Sequence, residues 1–94
     1  MKTVSILIGN SDDKLSQVEW SAFIHKANKL IGHRAKEIYF NGFSVPMAIW
    51  QYACWVFEIP TTQYLKLQDE MKRLRVEFKQ DSIAWIDGVT VFLD

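Results

Sequence analysis

The 94-residue chain is 49% hydrophobic and 14% aromatic, and its eleven basic side chains cancel eleven acidic ones. That much apolar content at zero net charge excludes a disordered chain, and without a basic surplus there is no electrostatic footprint for nucleic acid or an anionic membrane. No apolar run reaches the roughly 18 residues of a membrane-spanning helix. The opening residues lack a signal-peptide pattern, and a single Cys excludes an internal disulfide framework. The expectation is one cytoplasmic domain over residues 1–94.

Val4, Ile6 and Ile8 alternate with Ser5 and Leu7 before the turn residues 9–13, which predicts a strand with apolar atoms on both faces. Ser16-Gln17-Val18-Glu19 has the capping-box spacing, with Leu15 and Trp20 placed as a hydrophobic staple around it. Trp20, Phe23, Ile24, Ala27, Leu30 and Ile31 then recur at helical spacing, and Gly32 suits a C′ position. A helix over 16–31 follows.

Residues 36–44 read as a strand with Ile38 and Phe40 on one face and Glu37 and Tyr39 on the other. Asn41-Gly42 suits either a hairpin turn or a bulge; Pro46 favours the bulge, with the turn at 45–49. In the next run, 50–59, Ala53, Trp55, Phe57 and Ile59 share one face and Tyr52, Cys54 and Val56 the other. Pro60 stops it, and Thr61 or Thr62 is placed to cap a second helix. That helix carries the stripe Tyr64, Leu67, Met71, Leu74 and Phe78. Residues 82–86 form a strand, Asp87-Gly88 a hairpin turn, and 89–93 a last strand.

The order β-α-β-β-α-β predicts the α+β class: a ferredoxin-like βαββαβ sandwich with two helices on one face of an antiparallel sheet, plus an extra C-terminal hairpin strand. The first and third strands then lie in the centre, as their two apolar faces require. Connectivity brings loops 9–15, 45–50 and 79–82 to one end.

At that end Asn10, Ser11, Asp12 and Asp13, with Trp50 and Gln80, are the candidates for contact with a ligand or partner. The simpler account of 10–13 is turn chemistry followed by acids at a helix start. The spacing of a calcium loop is absent, and no metal or cofactor is expected. Helices on one face leave the other needing a cover, so Tyr39, Tyr52 and Trp85 are candidates for self-association, with Cys54 and Trp50 beside them.

Catalytic constellations are missing. His25 and His33 lie near no nucleophile, and Cys54 sits in an apolar strand and reads as a buried small hydrophobe. The first loop lacks the Arg of acylphosphatase-type enzymes, and residues 51–57 lack the basic residues of an RNA-recognition motif. There is no Cys-x-x-Cys for a metal chaperone. The expectation is a small non-enzymatic homo-oligomer that binds another macromolecule, a protein before a nucleic acid. Its size suits an accessory inhibitor of the kind a phage or mobile element carries. The alternative is a small-ligand binding protein or an enzyme, taking a nucleotide-like molecule or metabolite in a pocket formed by the loops 9–15, 45–50 and 79–82.

Overall fold

The computed structural model describes residues 1–10, 15–44, 51–88, 91 and 93. Its elements are β1 (Lys2–Gly9), α1 (Gln17–Arg34), β2 (Glu37–Phe43), β3 (Tyr52–Ile59), α2 (Thr61–Glu77) and β4 (Ala84–Gly88). The sheet runs β2-β3-β1-β4 with every neighbouring pair antiparallel, so β1 and β3 are central as expected. This is the ferredoxin-like α+β arrangement.

Strand alternation separates two faces. Val4, Ile6 and Ile8 of β1 and Ala53, Trp55, Phe57 and Ile59 of β3 are buried beneath the helices. Trp20, Phe23, Ala27 and Ile31 of α1 and Leu67, Met71 and Leu74 of α2 complete the core. Phe23 stacks on Phe78 at 4.9 Å between centroids, which closes the seam between the two helices.

The capping box forms as read. Ser16 Oγ accepts from the Glu19 N–H at 3.2 Å, and Glu19 Oε1 accepts from the Ser16 N–H at 2.9 Å. The Ser16 backbone amide first, and then the Ser16 hydroxyl, hold the Glu19 carboxyl below its ordinary value. The helix end differs from expectation: α1 runs past Gly32 to Arg34, and the Ala35 N–H closes the last turn on Ile31 O. Arg34 explains the extension, since its guanidinium reaches α2 at Glu70 (2.9 Å) and Gln63 (2.8 Å). A local stop signal yields to that tertiary contact.

Pro60, with φ −61° and ψ 142°, occupies the N-cap position of α2, so Thr61 and Thr62 lie inside the helix and cap nothing. The far end of α2 closes with a Schellman pattern, Lys79 N–H to Val76 O and Gln80 N–H to Arg75 O, and Lys79 is left-handed at φ 55°.

Two further expectations need correction. The β2 bulge falls at Tyr39, not Asn41-Gly42: Ile38 pairs with Phe57 and Phe40 with Val56, while Asn41 and Gly42 pair regularly with Trp55 and Cys54. The extra residue turns Phe40 onto the face opposite Ile38. Asp87-Gly88 is not a turn, because both residues continue β4 opposite Val4 and Thr3 of β1. The extra strand expected over 89–93 lies mostly outside the described residues, as does the turn expected at 45–49. Among the described residues, no helix is long and apolar enough to cross a membrane.

Candidate interaction surface

The sheet face away from the helices carries Thr3, Ser5 and Leu7 from β1, and Tyr52, Cys54, Val56 and Glu58 from β3. By their pairing, Glu37, Phe40 and Gly42 of β2 and Ala84 and Ile86 of β4 join them. No described element covers this face. Leu7 (37%), Tyr39 (46%), Phe40 (55%), Tyr52 (46%) and Ile86 (53%) are all substantially exposed. Cys54 shares this face with Tyr52 and is half-buried there, less buried than its apolar strand suggested.

Glycine sets the shape of this surface. A Cβ on Gly42 would stand 2.5 Å from Phe40 Cζ, and one on Gly9 would stand 3.0 Å from Tyr52 Cδ1. Both aromatic rings therefore rest against strand backbone where only glycine leaves room. Leu7, Phe43 and Ser44 join those rings around a shallow hollow of about 250 Å3.

The electrostatics are one-sided. Glu37 and Glu58 lie directly opposite each other, a like-charge pair that is unfavourable across strands. The Tyr39 phenol donates to Glu58 Oε2 at 2.6 Å. That hydrogen bond, with burial and both carboxylates adding, pushes Tyr39 up to about 12. The strands hold a single cationic side chain, Lys2, which reaches Asp87 at 3.4 Å on the helix side.

Of the expected self-association residues, Tyr39 and Tyr52 lie on this face and Trp85 does not. Trp85 packs against the core, donating from Nε1 to Tyr64 Oη at 3.1 Å and meeting the Tyr64 ring edge-on. The Tyr64 phenol in turn donates to Asp87, and that bond is the main cause holding the Asp87 carboxyl below its ordinary value. Trp85 pairs with Ile6, and this register decides its face.

The loop end is organised by amides. Asn10 is buried; its Nδ2 donates to Leu15 O at 3.0 Å and to Gln51 Oε1 at 3.3 Å, and its Oδ1 accepts from Leu15 N–H at 3.0 Å. Gln51 and Gln17 exchange reciprocal amide bonds at 2.9 and 2.8 Å. Gln80 is buried and donates to Phe78 O at 3.0 Å, closing the end of α2. Asn10 and Gln80 thus have structural employment that accounts for their burial. Ser11, Asp12, Asp13 and Trp50 lie outside the described residues.

The sequence reading missed Gln51 and Gln17. A polar residue at the start of an apolar strand is a weak signal, and only the partner 34 positions away makes it legible. Among the described residues, no three His, Cys, Asp or Glu side chains converge as a metal site would require. No protein-family profile matches this chain, and no curated protein resembles it significantly in sequence.

Proposed function

We propose that this chain is a non-enzymatic protein that self-associates through its uncovered sheet face and works by binding another macromolecule. The observation that carries the reading is the set of exposed apolar residues on one side of the sheet. Tyr39, Phe40, Tyr52 and Ile86 are each about half exposed, and Leu7 is over a third exposed. At the size of such side chains they present roughly 500 Å2 of apolar surface. That is the upper range of patches on monomers, where they are commonly functional. A standard interface takes about 800 Å2 from each partner, and about two-thirds of a homodimer interface is apolar. A second copy therefore matches the patch in area. Glu37 and Glu58, which face each other across the strands and have no ion pair among the described residues, weigh against a phosphate backbone as the occupant.

Sedimentation velocity over a wide concentration range tests the self-association. The wild type is expected to form a dimer, and the double variant Phe40→Ser, Ile86→Ser to remain monomeric with unchanged circular dichroism. A wild type that stays monomeric throughout overturns it.

A further inference from the structure

A second surface lies at the other edge of the sheet. Among the described residues, β4 pairs with β1 alone. Beside it, α2 and β4 frame a groove of about 250 Å3. Met71, Ile83 and Trp85 give the groove its apolar character, and Lys72 and Arg75 also line it. Trp85 is held in place by Tyr64. Arg75 is anchored through Nη1, which donates to Gln80 O at 2.9 Å and Asp81 O at 3.5 Å. Its Nε and Nη2 groups make no hydrogen bond among the described residues, and Lys72 has no ion pair there. Asp81 also lines the groove and is not without an interaction of its own.

We propose that the β4 edge and this groove together receive an extended segment of another protein, apolar at alternate positions and acidic where it passes Lys72 and Arg75. A strand edge offers a row of backbone donors and acceptors, and a neighbouring groove reads every second side chain. Here the groove takes the apolar side chains against Met71, Ile83 and Trp85. The two cations select carboxylates, and the anchored guanidinium is already positioned for one. The corresponding groove at the opposite edge, between α1 and β2, is lined by Gln17, Trp20, Ser21, Ile24, Phe43, Ser44 and Gln51 without a charged side chain. Among the described residues, therefore, only the β4 side of the two edge grooves specifies a charge. The inference supplies the partner for the binding half of the proposed function and rests on that half alone.

The test selects phage-displayed random dodecapeptides on the full chain and measures the best synthetic peptide by fluorescence anisotropy. Enrichment in Asp or Glu between Val, Ile or Phe is expected, with chemical-shift changes along β4 and α2. The exposed-residue variant Lys72→Glu should weaken binding roughly tenfold. N-methylation of alternate peptide residues should abolish it. The single variant Phe40→Ser, on β2 and away from β4, should bind normally, which separates this site from the self-association face. Selection of basic peptides, shifts confined to the open face, indifference to Lys72→Glu or to N-methylation, or no binder at all would each overturn the proposal.

Discussion

The Tyr39 phenol sits 2.6 Å from Glu58 Oε2, and it does so because the β2 bulge inserts Tyr39 between two residues in register with β3. The bond ties the edge strand to the central one, and it places a proton between an aromatic surface and its acidic corner. Tyr39 ionises at about 12 instead of 10.0 as a consequence. A raised pKa means that the protonated phenol is the form favoured by folding. Its contribution is present in full below pH 10.0 and is lost as pH rises toward 12. Ultraviolet titration of the folded protein should show a late tyrosine step near pH 12, and Tyr39→Phe should remove that late step. If the late step survives the substitution, the assignment to Tyr39 is wrong.

Asn10 closes the connection between β1 and α1 on both the N–H and C=O of Leu15. Replacing it by Ala leaves those groups and the Gln51 amide short of partners in a buried place. Asn10→Ala should therefore lose about 2 kcal/mol of stability in urea denaturation. A loss under a few tenths would mean that water takes over the clamp.

Lys79 holds a left-handed conformation at φ 55° where helices usually place glycine. Lys79→Gly should stabilise the fold by roughly 0.5–1 kcal/mol, because the side chain's steric cost at positive φ disappears. Calorimetry should show Tm rising by a few degrees in a domain of this size. An unchanged or lower Tm would show that the Lys side chain does more for the folded state than its backbone strain takes away.

Gly42 is the floor on which the Phe40 ring rests. A methyl group there would displace the far end of a flexible, exposed side chain and leave the backbone in place. Gly42→Ala should accordingly weaken self-association several-fold, with a stability change within about 1 kcal/mol. Sedimentation and thermal melts on the same samples separate the two effects. A variant that unfolds, or one that dimerises like wild type, would contradict this account of the surface.

Sequence alone determined the order of the elements, the two helix stripes, the central position of β1 and β3, and the capping box at Ser16 and Glu19. These are written in contiguous residues: alternation marks strands, a three-to-four spacing marks helices, and a cap needs only its own four residues. It also separated the two faces of β3 correctly, from Tyr52 through Ile59. What the tertiary structure alone decided depends on partners far along the chain. Gly32 reads locally as a stop, yet Arg34 finds Glu70 and Gln63 on α2. Asp87-Gly88 reads as a turn, yet Val4 and Thr3 of β1 extend the ladder through both residues. Trp85 and Tyr39 are both aromatic residues of edge strands. Register with Ile6 sends one beneath α2, and a single extra residue in β2 leaves the other on the open face. Side-chain facing along a strand has a period of two, so one residue of register, invisible in local pattern, decides which aromatic joins the core and which stays on the open face.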